Sequence, residues 1–155
     1  MTLTLGLWAA LGTSGSAVAA EPAVDPAVME QVVRLLSSRD EVSCAAVEAL
    51  APQPVAALRA VVAEVQMPPY APMRAAGCLV TGHAVEVQAD LERWVVDPEL
   101  KGLGRLVLGA IDRLPKEVAV PVVQRALAEG SDPELARRRA ASAALPEVRA
   151  LVVTK

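Results

Sequence analysis

Apolar residues recur along the chain at the spacing of an amphipathic helix. The first such stretch contains Met29, Val32, Val33 and Leu36, at positions i, i+3, i+4 and i+7. Later stretches follow the same rule, with Val87, Leu91, Trp94 and Val95, and then Ala119, Val122, Val123, Ala126 and Leu127. Side chains at this spacing form one stripe along a helix. The pattern therefore predicts an all-α fold.

Proline residues mark where these helices begin. An N-cap aspartate precedes a proline at the first helical position in Asp25-Pro26, Asp97-Pro98 and Asp132-Pro133. At that position the N–H that proline lacks would have no partner within the helix, so its absence costs nothing. Gly82 and Gly130 fall where helices should end. The sequence predicts about nine helices, over 26–38, 40–51, 53–66, 70–81, 84–96, 97–113, 115–129, 132–144 and 146–153. Their short linkers predict antiparallel neighbours.

A valine-rich segment at 117–120 offers a competing interpretation, in which such segments are strands of an α/β fold. Pro121 follows directly, and the apolar residues keep the helical spacing. Both observations favour a helix over 115–129.

Two motifs recur along the chain. Residues 97–100 and 132–135 are identical, Asp-Pro-Glu-Leu, and a Leu-Pro pair follows each of them, at 114–115 and 145–146. A second, alanine-rich motif begins at Cys44, Arg74 and Arg139. Predicted helix starts near 26, 54, 84, 115 and 146 give a period of about 30 residues.

In the repeated unit, a first helix begins near proline and a second helix reads roughly D-x-x-x-R-x-x-A-A-x-x-A-L. In this pattern, which covers about 26–155, the chain resembles a HEAT repeat of the short, bilin-lyase-like type. Cys44 stands where the pattern has arginine, and the helix with Gly102, Gly104 and Gly109 is unusually rich in glycine. The resemblance implies a right-handed α-solenoid of about four antiparallel helix hairpins plus a C-terminal capping helix. Such curved stacks bind proteins on extended surfaces.

Composition agrees with one packed domain. Of the 155 residues, 54% are hydrophobic and only 2% aromatic, with a formal net charge of −3. These values exclude a disordered or collagen-like chain. Because phenylalanine is absent, the core must be built from small and branched aliphatic side chains, which suits closely packed helices.

Residues 1–20 carry no charged side chain and have the order of a signal peptide. An apolar stretch at 3–11 is followed by small polar residues and then by alanine-rich residues 17–20, which fit a cleavage site. We therefore expect 21–155 to form a single HEAT-like domain in the periplasm or outside the cell. The alternatives are an uncleaved anchor, although the apolar stretch is short for one, and a plain N-terminus of a cytoplasmic protein.

In the oxidising compartment that an exported protein reaches, Cys44 and Cys78 can form a disulfide, and the alternative is two buried thiols. A remote hypothesis makes His83 a general base beside a cysteine nucleophile, whereas a capping or surface histidine in a turn is the simpler interpretation. Two cysteines and one histidine do not make a convincing zinc site. Phosphate-binding and hydrolase motifs are absent from the sequence. We predict no enzyme, no metal and no cofactor.

Charge is divided along the chain. Residues 21–100 hold 12 acidic and 5 basic residues, whereas 101–155 hold 6 and 10. The basic half favours an acidic protein partner, and the acidic total and scarce aromatics argue against nucleic acid. Candidate contact residues are Tyr70, Arg74, Arg105, Arg137, Arg138 and Arg139. The alternative is that these arginines pair with acids and helix caps of adjacent repeats.

The last predicted helix carries an apolar stripe of Val148, Leu151 and Val152 with no helix after it. It is either a terminal cap or an edge where another chain docks. Together these features predict an exported, non-catalytic scaffold that mediates protein–protein interaction. The alternative is an accessory or regulatory subunit of a cell-envelope enzyme or complex.

Overall fold

The computed structural model describes residues 23–38, 43–66 and 68–153. Within these ranges the chain is helical and contains no strand, so the all-α prediction is confirmed. The nine α-helices of this part are α1 Pro26–Leu36, α2 Cys44–Leu50, α3 Pro54–Glu64, α4 Tyr70–Gly82, α5 Gln88–Val96, α6 Lys101–Gly109, α7 Lys116–Glu129, α8 Pro133–Ser142 and α9 Pro146–Val153. The predicted signal peptide lies outside the described residues.

The three predicted aspartate caps are present. The Asp25 carboxylate accepts from the N–H of Ala27 at 2.7 Å. In the same way, Asp97 accepts from Glu99 at 2.9 Å and Asp132 from Leu135 at 3.2 Å. Each cap satisfies a backbone donor that the first helical turn leaves without a partner, and each is followed by proline at the start of its helix. At the other ends, α4 stops at Gly82 and Gly130 caps α7, as predicted.

The predicted helix over 97–113 is wrong in detail. It consists of a 3₁₀ turn at Pro98–Leu100, α6, and a second 3₁₀ turn at Ile111–Arg113. The first turn forms because Asp97 accepts from the N–H two residues ahead while its carbonyl accepts from Leu100 at 3.1 Å, which is a tighter spacing than in an α-helix. Likewise α5 begins at Gln88 rather than 84, after a turn at 84–87. The predicted start of α2, at 40, lies outside the described residues.

The core follows the predicted apolar stripes. Val87, Leu91, Trp94 and Val95 are all at most 2% exposed. In α7, Ala119, Val122, Val123 and Ala126 are buried, and the helix continues through Pro121. Among the described residues no polar or charged residue is buried, and Trp94 is the one aromatic side chain in the core. The core is aliphatic, as the composition predicted.

Most helices contact a neighbour in sequence, and several also contact the helix two places along. α1 contacts α3, α5 contacts α7, and α7 contacts α9, while α4 contacts α6 and α6 contacts α8. Each of the pairs α1–α2, α3–α4, α5–α6 and α7–α8 is also in contact.

None of the helices in the described ranges has by itself the length and hydropathy of a membrane span. Helices α2 and α3 meet these criteria only as a pair, and the chain bends by 111° between them.

Candidate functional site

One face of α4 carries a row of side chains that reach the first two helices. Tyr70, Arg74 and Cys78 follow at intervals of four residues, which places them on one side of the helix. His83 is the C-cap residue of the same helix. We call these four residues the α4 stripe. It brings together two of the predicted contact residues, one predicted disulfide cysteine and the single histidine.

The N-terminal half of the α4 stripe holds the end of α1. The Arg74 guanidinium donates to the carbonyl of Leu36 at 3.0 Å and to that of Ser38, and it lies 5.4 Å from the centre of the Tyr70 ring. The Tyr70 hydroxyl donates to the carbonyl of Ser37 at 3.4 Å. Carbonyls at the end of a helix lack partners within it, and a cation there is favourable. Both side chains are therefore occupied within the chain.

The C-terminal half of the stripe holds α2. Cys44, the first residue of α2, is bonded to Cys78 in a disulfide with a Cα–Cα distance of 5.4 Å. This pairing confirms one of the two alternatives that the sequence left open. Cys78 is only 4% exposed, whereas Cys44 is partly exposed. With both sulfurs bonded to each other, neither supplies the thiolate that a Cys/His catalytic pair requires.

His83 faces Glu48 one turn further along. Its Nε2 lies 3.3 Å from the Glu48 carboxylate, and the His83 side chain is 19% exposed. The two atoms lie within ion-pair distance, but they do not have hydrogen-bond geometry, and Nε2 has no hydrogen-bond partner among the described residues. The pair attracts electrostatically only when the imidazole is protonated. His83 thus lies in a turn beside a carboxylate, as the simpler sequence interpretation expected.

Arg105 connects α6 to the start of α8. Its guanidinium lies 3.1 Å from the Asp132 carboxylate through Nη2 and 3.3 Å through Nε, and Lys101 approaches the same oxygen at 3.9 Å. The hydrogen bond from the Leu135 backbone, followed by that from Arg105, lowers the pKa of Asp132 below its ordinary value of 3.8. Arg105 therefore pairs with the cap of a neighbouring helix, which is the alternative weighed for the arginines.

Arg137, Arg138 and Arg139 behave differently. All three are exposed on α8, and none of their guanidinium groups makes an ion pair or a hydrogen bond with another residue of the described ranges. Ala136 and Ala140 on the same helix are fully buried. Since successive residues turn by about 100°, Arg138 points away from the core and the other two flank it. We call these three residues the α8 arginine face.

The last helix is docked on the core. Val148 is fully buried, Leu151 and Val152 are partly buried against the core, and α9 contacts α7 and α8. Lys116 lies 2.6 Å from Glu147. Their hydrogen bond raises the pKa of Lys116 and lowers that of Glu147. If α9 is a terminal cap, its apolar side chains must pack against the preceding helices, and Val148 does so.

Sequence reasoning missed several contacts beside α9. The Asp112 carboxylate accepts from the N–H of Ala144 at 2.7 Å, and Arg149 donates to the carbonyls of Ala143 and Ala144 at 2.5 and 2.9 Å. The separation of 32 residues between Asp112 and Ala144 is close to the sequence period. The repeat period was the sequence signal that could have revealed this contact, because it predicts that residues about one period apart lie close together.

Two shallow grooves adjoin the start of α1, where Ala23 and Val24 line both. The larger, of about 520 Å³, is also lined by Met29, Val33 and Ala60 and by the acidic residues Glu30 and Glu64. The smaller has a volume of about 180 Å³. The composition of both is mainly apolar, and no sequence motif indicated them.

Comparisons with protein-family models, with curated proteins and with solved structures find no match to this chain. Within the described residues, no group of three or more histidine, cysteine, aspartate or glutamate side chains lies close enough to hold a metal ion. The α4 stripe and the α8 arginine face are therefore interpreted from their own geometry.

Proposed function

We propose that this protein is an exported, non-catalytic scaffold of the HEAT-repeat type that binds another protein. In this proposal α1, α3, α5 and α7 are the first helices of four hairpins, α2, α4, α6 and α8 are the second helices, and α9 is a cap. The result is a right-handed α-solenoid. Contacts between helices two places apart support this stacking.

Polar contacts between distant residues support the same arrangement. Arg59 of α3 lies 2.7 Å from Asp90 of α5, a separation of 31 residues. The Arg105–Asp132 and Asp112–Ala144 contacts span 27 and 32 residues. Each of these separations is close to one period of the sequence repeat, as expected when a residue contacts its neighbour in the next hairpin.

The disulfide supports export. Structural disulfides persist in the periplasm and outside the cell and are rare in the cytosol. Together with the order of residues 1–20, the Cys44–Cys78 bond favours a periplasmic or secreted protein.

The α8 arginine face is the proposed contact surface for an acidic protein partner. The observation that carries this proposal is the difference between the arginines. Arg74 and Arg105 are bound within the chain, whereas Arg137, Arg138 and Arg139 expose their charge without a partner in the described residues. Uncompensated charge on a surface attracts and orients an oppositely charged protein. Tyr70 and Arg74 contribute to such binding only through the parts of their side chains that remain exposed after their contacts within the chain.

Charge reversal tests this surface. We would capture partners from envelope extracts with the wild-type chain and with the triple variant Arg137→Glu, Arg138→Glu, Arg139→Glu, and then titrate the identified partner against both. The matched control reverses three exposed arginines that form local pairs, Arg34, Arg93 and Arg125. We expect the control to bind and the α8 variant to lose at least tenfold in affinity. Equal binding by all three proteins would remove the α8 arginine face from the proposal.

A further inference from the structure

Helix α2 depends on the disulfide more than the rest of the described chain does. It has seven residues, and Val47 is its one buried residue. Its N-cap, Ser43, makes no side-chain hydrogen bond to the first turn. A helix this short is unstable without tertiary contacts. Its position is therefore fixed mainly by its contacts with α1 and α3 and by the bond to Cys78.

The α4 stripe divides into two parts that hold different helices. Tyr70 and Arg74 hold the end of α1 by hydrogen bonds, which do not depend on the redox state. Cys78 holds α2 by a covalent bond that a reductant can break. His83 adds an electrostatic contact to Glu48, a residue whose side chain is 45% exposed. Reduction should therefore release α2 and leave α1 in place.

We propose that the Cys44–Cys78 disulfide is a redox-sensitive latch that fastens α2 to α4. When it is reduced, α2 separates and Val47 leaves the core, while the other described helices remain folded. The surfaces of α1 and α3 that α2 covers then become accessible, which adds apolar surface at this end of the molecule.

The difference in exposure between the two cysteine residues determines the order of the reaction, because Cys44 is partly exposed and Cys78 is only 4% exposed. A thiolate of an external thiol attacks the sulfur of Cys44, the S–S bond breaks, and Cys78 leaves as a thiolate that takes up a proton. A second thiol group of the reductant then attacks the mixed disulfide on Cys44. The protein gains two electrons and two protons, and the reductant is oxidised to its own disulfide. A disulfide oxidant reverses both steps and closes the latch.

Hydrogen exchange measured by mass spectrometry tests the latch on the full chain, oxidised and then reduced with dithiothreitol. We expect the amides of 44–51 to exchange at least tenfold faster after reduction, with α5 to α9 unchanged, and protection to return on reoxidation. Unchanged exchange at 44–51 would show that the bond does not control α2. Loss of protection in all nine helices would show that it is a general staple and not a latch.

Two further measurements separate the latch from a general effect of the reductant. The variant Cys44→Ser, Cys78→Ser should show fast exchange at 44–51 with or without dithiothreitol, and a response of this variant to the reductant would contradict the proposal. Brief treatment with glutathione followed by acid quenching should place glutathione on Cys44. Finding it on Cys78 instead would overturn the proposed order of attack.

Discussion

Gly104 of α6 lies directly against the backbone of Trp94 in α5. A Cβ atom on Gly104 would lie 2.5 Å from the carbonyl oxygen of Trp94 and 3.2 Å from the Cα of Val95. Real Cβ atoms do not approach backbone atoms so closely, and backbone cannot rotate aside as a side chain can. The two helices are therefore in contact at a distance that only glycine permits.

Replacing Gly104 with alanine should push α6 away from α5. We expect Gly104→Ala to lower the free energy of unfolding by about 1–3 kcal/mol, the usual cost of overfilling a packed core. Gly102→Ala and Gly109→Ala are matched controls on the same helix, because a Cβ at either position meets nothing within 4 Å. Both should be neutral or stabilise by up to about 1 kcal/mol, since alanine favours the helix. Urea denaturation measures all three, and equal effects would contradict the close contact.

These three glycines show where sequence reasoning reaches its limit. In the sequence they are alike, and they stood out only as a departure from the repeat pattern. What distinguishes Gly104 is a carbonyl on another helix, which no local pattern encodes. The helix starts at Pro26, Pro98 and Pro133, in contrast, were predictable, because an aspartate cap and the N–H groups that it binds lie within three residues of each other.

The same distinction applies to the α4 stripe. The sequence contains two cysteines, so it allows one intramolecular disulfide. To predict this bond, it was enough to infer that the cysteines are oxidised. Tyr70 and Arg74 were predicted as contacts for a partner, yet they bind carbonyls 33 to 38 residues away. Backbone carbonyls carry no residue-specific signal. Their involvement becomes visible only when α1 and α4 are placed side by side.

The role of Arg74 can be separated from that of the α8 arginine face by measuring stability. Arg74→Ala removes the guanidinium that binds the carbonyls of Leu36 and Ser38. We expect a loss of about 1–3 kcal/mol, typical for hydrogen bonds from a charged donor. Arg138→Ala is the control, and as an exposed residue without such contacts it should change stability by less than about 0.5 kcal/mol. Guanidinium denaturation gives both values, and the same small change for both variants would argue against Arg74 as a support of α1.

Asp132 should make the stability of α8 sensitive to acid. Its pKa is lowered in the folded chain, by the Leu135 N–H first and then by Arg105. A carboxylate with a depressed folded pKa stabilises the fold above its ordinary value of 3.8, and this contribution is lost as the pH falls through the folded pKa. Asp132→Asn keeps a cap acceptor but removes the charge. The melting temperature of the variant should therefore lie below that of the wild type at pH 7, and the difference should shrink near pH 3.

Asp97→Asn is the matched control for this change. Asp97 begins the same four-residue motif and its carboxylate accepts from the N–H of Glu99, but it makes no ion pair with another residue of the described part of the chain. We expect a smaller change in melting temperature at pH 7 than for Asp132→Asn. If the two variants melt alike at pH 7, the contacts of Asp132 with Arg105 and Lys101 contribute nothing measurable.

Two valines of α9 test whether this helix is docked in solution. Val148 is fully buried, whereas Val153 is 78% exposed. Val148→Ala removes two methyl groups from the core and leaves a cavity, so we expect a loss of about 1–3 kcal/mol in the free energy of unfolding. Val153→Ala, the same chemical change on the same helix, should stay within about 0.5 kcal/mol. Chemical denaturation of both variants decides between the two interpretations of the last helix. If Val148→Ala is as mild as Val153→Ala, α9 is not held against α7 and α8, and its apolar stripe is free for a partner.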